Sequence, residues 1–187
     1  AKYMGRGEYL EKDAEGAWLL LIKTLKTDHA AAKIRAALEF LPGGVGPENP
    51  KRTKKGVQGL INEGKSAAMI SYAMKVLDLQ KAEIGSDNSK KGITLLERAA
   101  LEEKDSQAAI YLSLLFNQGN VVPRDQKKAI TVAQLAIDAG VIRGYGTMGQ
   151  IFQNQNDMES AVQWFQIGAD KGDGFSQGML GVMYSGG

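Results

Sequence analysis

The amino-acid sequence predicts an all-α fold of stacked antiparallel helix pairs, and three observations carry that expectation. Phe40, Gly43, Pro47 and Gly64 recur as Phe116, Gly119, Pro123 and Gly140, each pair 76 positions apart. Self-similarity at a fixed distance means that one supersecondary unit is repeated along the chain. Apolar and small residues return at helical spacing, as in Ala108, Leu112, Ser113, Phe116 and Gly119, while strand signals are lacking. The four prolines, at 42, 47, 50 and 123, all fall between the proposed helices, where they interrupt nothing.

Six units can be registered in order, spanning about 1–28 (partial), 29–64, 65–103, 104–140, 141–172 and 173–187 (partial). A complete unit holds a helix A, a loop and a helix B. The first keeps only its B helix, with Asp13 as cap and Ala17, Leu20 and Leu21 as its apolar residues. The second reads Ala32, Ala36, Ala37, Phe40 and Gly43 for helix A, then Pro47, a cap at Asn49, a second helix and Gly64. The third centres on Tyr72. In the fourth, Asp125 caps a B helix over about 126–139, and Gly140 can take the positive φ that ends it. In the fifth, the polar run 153–157 replaces the longer glycine-proline connection. The sixth keeps only an A helix around Leu180, so the chain reads as cut from a longer array.

A marker position in helix A gives the series Ala36, Tyr72, Leu112, Met148 and Leu180, with steps of 36, 40, 36 and 32. The variation falls mainly between helices. The surplus of the longest step lies chiefly around 79–86, with one further residue near Lys104.

Composition narrows the class of function. With 23 basic and 21 acidic residues the net charge is +2, too small for the strong field of a nucleic-acid or anionic-lipid binder. The basic run 51–55 reads as a solvated helix face. The longest wholly apolar run, 17–22, is far short of the roughly 18 residues that suggest a membrane span. Zero cysteines exclude disulfides, thiolate catalysis and cysteine-ligated zinc, without choosing a compartment.

The ordered pattern A-x-x-x-L-G-x-x-Y-x-x-G, followed by V-x-x-D-x-x-K-A-x-x-W-Y-x-K-A-A-x-x-G, resembles the Sel-1-like repeat, a relative of the tetratricopeptide repeat. Leu180, Gly181, Tyr184 and Gly187 match the first half; Ala161, Trp164, Phe165, Ala169 and Gly172 match much of the second. Asp125, Lys128 and Ala129 supply the middle, and Arg98, Ala99 and Ala100 the basic-alanine-alanine step. Ser113 and Ala37 depart from the helix-A glycine, Leu95 and Leu96 from the aromatic pair, and 59–61 from the basic-alanine-alanine step. The resemblance implies a right-handed α-solenoid whose A helices line a concave face, and scaffold or adaptor roles. Family habit favours a bacterial, periplasmic or secreted setting, although the chain carries no signal for one.

That resemblance also implies which helix-A positions face inward. They are Ile34, Leu38 and Leu41 in the second unit; Ile70, Met74 and Leu77 in the third; Ile110, Leu114 and Asn117 in the fourth; and Gly146, Gln150 and Gln153 in the fifth. An open groove would then be apolar toward one end and amide-rich toward the other. The same stripes also read as core between adjacent A helices. Both readings stand at this stage.

Catalytic chemistry finds little support. His29 is the only histidine, and no motif supplies the serine and carboxylate of a triad. Glu102-Glu103 and Asp157/Glu159 sit near helix ends, where solvated or capping roles suit them. The string 59–66 spells G-x-x-x-x-G-K-S, the signature of a phosphate-cradling loop, but the repeat register makes Gly64 a helix end and no buried strand precedes it. The sequence therefore calls for no enzyme, cofactor or metal. It points to a scaffold or adaptor that holds a protein or peptide in its groove, with further contact through exposed terminal repeat faces. An inhibitor or immunity-type protein gripping one enzyme is the alternative, and nucleotide binding through 59–66 the third reading.

Overall fold

A computed structural model describes residues 58, 59, 61–77 and 83–186. The chain divides into two compact units, 1–72 and 73–187. The first B helix with Asp13, the unit around Ala36 and Phe40, His29 and the basic run 51–55 lie outside the described residues.

In the first unit, residues 58, 59, 61 and 62 are helical, and the turn closes with Gly64 at φ +72 and its N–H donating to the Ile61 carbonyl at 3.1 Å. Helix α1 (Ser66–Leu77) starts after it and runs across the division between the units.

The second unit continues through α2 (Asp87–Glu97), a π-helical segment (Arg98–Glu102), α3 (Ser106–Gln118), α4 (Gln126–Asp138), α5 (Arg143–Gln153), α6 (Met158–Asp170) and α7 (Gly174–Gly186). No strand occurs among the described residues. Short polar residues start α2, α3, α4 and α6, whereas α5 follows Ile142 without a side-chain cap. The Ser86 side chain accepts from the Ser89 N–H, and the Asp105, Asp125 and Asp157 carboxylates accept from N–H groups in the first turns of α3, α4 and α6. Each satisfies a donor that has no partner inside the helix and so favours the helix start.

The A and B helices pair antiparallel. The Asp125 N–H, at the start of α4, donates to the Phe116 carbonyl near the end of α3; the Asp157 N–H does the same to the Phe152 carbonyl. One bond type therefore closes both hairpins, across nine residues in the first (125 − 116) and five in the second (157 − 152). The four missing residues are those lost from the 32-residue step. In the shorter turn Asn156 adopts φ +61, a conformation its small polar side chain tolerates.

Small residues set the distance between paired helices. Ser113 and Gly149 occupy the same register position in α3 and α5. Buried Ser113 donates its hydroxyl to the Ala129 carbonyl at 2.8 Å, while a β-carbon on Gly149 would lie 2.5 Å from the Phe165 ring. Phe165 is fully buried and meets Phe175 edge-on at 6.0 Å, in a cluster with Ala161 and Leu180. Burying such a ring is worth roughly 1.5–3 kcal/mol. Its neighbour Trp164 stacks on Phe152 at 6.5 Å and tilts toward Tyr145 at 6.2 Å.

The surplus residue near Lys104 has a structural counterpart. From the small residue of helix B to its closing positive-φ residue the chain takes 11 steps in α4 (Ala129 to Gly140) and α6 (Ala161 to Gly172), but 12 from Gly92 to Lys104. The extra residue is taken up by the π turn, where the Glu103 N–H reaches back five residues to the Arg98 carbonyl at 3.2 Å. The capping bond shows the same shift. Val141 donates to Ala136 and Asp173 to Gly168, each across five residues, whereas Asp105 donates to Ala99 across six. Consequently Ala99 and Ala100 are both buried, and Leu101 turns outward with 56% of its surface exposed.

Candidate functional site

The A-helix face divides into buried and accessible positions. Leu77, Ile110 and Asn117, expected in an open groove, are buried within the chain. Leu77 lies over Gly92, where a β-carbon would sit 2.5 Å from its Cγ, and α3 packs directly against its neighbouring A helix, α5. These three are packing positions, because A helices of successive repeats lie side by side and cover part of each inward stripe. Ile70, Met74, Leu114, Gln150 and Gln153 are half-buried. Ile34, Leu38 and Leu41 lie outside the described residues.

The amide-rich end has a geometry that sequence reasoning missed. Arg143, Gly146, Gln150 and Gln153 follow one another on one face of α5, at offsets of three, seven and ten. The Arg143 guanidinium lies over the Phe175 ring, 3.7 Å from its centroid, with Nη1 3.6 Å from Asp173 Oδ2. Asp173 is 8% exposed, and the same oxygen accepts from the Ser176 N–H at 3.0 Å and the Ser176 hydroxyl at 2.5 Å. A β-carbon on Gly146 would lie 2.9 Å from both Arg143 Nη1 and Ser176 Oγ. Gly146 is thus the floor of a buried ion pair that ties α5 to the start of α7. The substitution of glycine for the isoleucine found at 70 and 110 was its one sequence signal.

Asn117 differs from Gln150 and Gln153. Both its amide nitrogen and its amide oxygen are buried without a hydrogen-bond partner.

Among the described residues no group of three or more histidine, cysteine, aspartate or glutamate side chains is placed to hold a metal, and no helix is long and apolar enough to cross a membrane. The string 59–66 wraps the turn at Gly64, with α1 beginning at its last residue, Ser66. What the A-helix face offers is apolar contact from Met74 and Leu114, followed by amide donors and acceptors at Gln150 and Gln153. That chemistry suits noncovalent capture.

Two solved structures share this architecture. One is a protective antigen present in uropathogenic Escherichia coli strains and displaying an SLR fold; it is 20% identical, with a TM-score of 0.64 over 90% of this chain and 36% of its own. The other is a Sel1 repeat protein from Oxalobacter formigenes, also 20% identical with a TM-score of 0.64, over 98% of this chain and 75% of its own. The chain has the Sel1-like repeat fold. It is an all-α solenoid of antiparallel helix pairs, and it spans about a third of the length of the Escherichia coli protein. No family profile and no curated protein sequence matches it. In Sel1-like terms α1, α3, α5 and α7 are A helices, and α2, α4 and α6 are B helices.

Proposed function

We propose that this Sel1-like chain is a non-enzymatic interaction scaffold that holds a peptide or an amphipathic helix of a partner protein along its A helices. The observation that carries the reading is the half-burial of Met74, Leu114, Gln150 and Gln153 at repeating register positions, while their neighbours Leu77, Ile110 and Asn117 are spent on packing. An apolar side chain of the partner would rest on Met74, whose unbranched thioether adapts to varied shapes, and on Leu114. Gln150 and Gln153 would pair with its backbone.

The test is affinity capture with the Met74→Asp/Leu114→Asp variant beside an Ile84→Asp control; Ile84 is an exposed apolar residue outside the A-helix face. The double variant should lose the proteins captured by the wild type while keeping its helical circular dichroism, and the control should retain them. Unchanged capture by the double variant would sink the groove reading.

A further inference from the structure

The A-helix face continues past α5 onto α7. Leu114 in α3, Gln150 in α5 and Val182 in α7 hold one register position, each two residues beyond the marker series Leu112, Met148 and Leu180. The three helices adjoin in that order, α3 against α5 and α5 against α7. Leu114 and Gln150 are half-buried, and Val182 is 65% exposed. Two apolar side chains therefore stand two helix spacings apart, with an amide midway. Packed helices lie about 8–10 Å apart, which puts Leu114 and Val182 on the order of 16–20 Å from each other.

The amides select the form of the occupant. Neither Gln150 nor Gln153 has a side-chain hydrogen-bond partner among the described residues, whereas Asn117, which holds the Gln153 position in α3, is buried and offers nothing to a ligand. A carboxamide presents both a donor and an acceptor, the complement of a peptide group. A bound helix cannot answer with its main chain, because its interior N–H and C=O groups are already paired with each other. An extended segment keeps those groups free. It also meets the spacing. At about 3.1–3.4 Å per residue, six residues cover roughly 19–20 Å, and residue i+6 returns to the same side as residue i in both polyproline-II and β conformations. We infer that α3, α5 and α7 together bind an extended segment of a partner protein with apolar side chains six residues apart, one on Leu114 and one on Val182, its intervening main chain hydrogen-bonded to Gln150 and Gln153. This rests on the reading of the A-helix face as a capture surface, and adds to it α7, the conformation of the partner and the spacing of its anchors.

The experiment is a nitrogen-15 NMR titration of the 187-residue chain with acetyl-Leu-Ser-Ala-Ser-Ala-Ser-Leu-amide. Saturable shifts are expected at the Leu114, Gln150, Gln153 and Val182 amides, with a Kd on the order of millimolar for a ligand of this size. A peptide of the same composition with its leucines three apart should bind at least about 3-fold more weakly, because only one leucine can be seated. Val182→Ser, at a position too exposed to disturb the packing, should remove that preference. Methylating the three central peptide nitrogens should weaken binding about 2- to 10-fold, the range of a lost hydrogen bond, and Gln150→Ala/Gln153→Ala should erase the penalty. If that double variant fails to fold, the methylated and unmethylated peptides on the wild type still read the main-chain contact. Equal affinity for those two peptides, no preference for the six-residue spacing, or a preference that survives Val182→Ser would overturn the inference. Shifts at Leu114 and Gln150 with a 15-residue alanine-rich helical peptide carrying leucines four apart, and none with the extended one, would overturn it while leaving the capture surface standing. Silence of both probes, together with unchanged capture by Met74→Asp/Leu114→Asp, would sink both.

Discussion

Gly149 lies so close to Phe165 that a β-carbon on the glycine would come within 2.5 Å of the ring. The same register positions hold Ser113 with Ala133 in the preceding repeat and Ala73 with Leu96 in the one before that. Where helix B carries its largest residue, helix A carries none. The stack thus keeps its helix spacing by exchanging volume across the pair.

Gly149→Ala should therefore destabilise the protein by about 1–3 kcal/mol, the cost of overpacking a filled interior. Phe165→Leu, which copies the leucine of the third unit, should offset part of that cost. A double-mutant cycle in urea is expected to give a coupling of about 0.5–3 kcal/mol; additivity would mean that the two residues do not compete for space.

Lys104, at φ +52, sits where the neighbouring repeats have Gly140 and Gly172, at φ +77 and +90. A side chain in this conformation costs roughly 1–2 kcal/mol, partly offset by the greater unfolded-state freedom of glycine. Lys104→Gly should raise stability by up to about 1 kcal/mol. Gly140→Ala should lower it by about 1–2 kcal/mol, although its β-carbon would meet nothing within 4 Å. Thermal melts of the two variants should move in opposite directions.

Asn117 buries both atoms of its amide without a hydrogen bond, at the register position that holds Leu77 in the preceding A helix. Asn117→Leu removes two desolvated polar atoms and should stabilise the chain by about 1–3 kcal/mol. A lower urea midpoint in the variant would show that the amide is satisfied in solution.

Asp157 is held below the ordinary carboxyl value of 3.8, first by the Ser160 hydroxyl, which donates to Oδ2 at 2.6 Å, and then by the Ser160 N–H, which donates to Oδ1 at 3.1 Å. Both bonds favour the charged form. A depressed folded-state value makes the cap's contribution fully present above the unfolded-state pKa and lost as pH falls through the folded one. Ser160→Ala should move the Asp157 titration upward toward 3.8 in a carboxyl NMR experiment, and the α6 N-terminus should fray at a higher pH than in the wild type.

The helix-pair grammar was legible because it is local. Asp125 caps α4 and Gly140 ends it through bonds that span only a few residues, so residue type and spacing are enough to read them. The surplus residue near Lys104 was also countable, because a repeat supplies its own ruler. Counting did not reveal that a π turn absorbs it, since an inserted residue can enter a loop or a helix at similar cost, and the packing of Ala99 and Ala100 decides between them. The A-helix stripe was legible as a period, but not its exposure: Leu77, Ile110 and Asn117 are covered by neighbours that a single helix does not specify.

By itself, then, the sequence determined helix pairs, their caps and their turns, because period, capping and glycine placement act over one or two helical turns. Tertiary structure alone decided which inward residues remain accessible, that Arg143 is drawn onto Phe175 and Asp173 thirty positions later, and that one extra residue becomes a π turn. Those outcomes depend on close packing between repeats, where the absence of a methyl at Gly144 lets the Ile137 side chain approach.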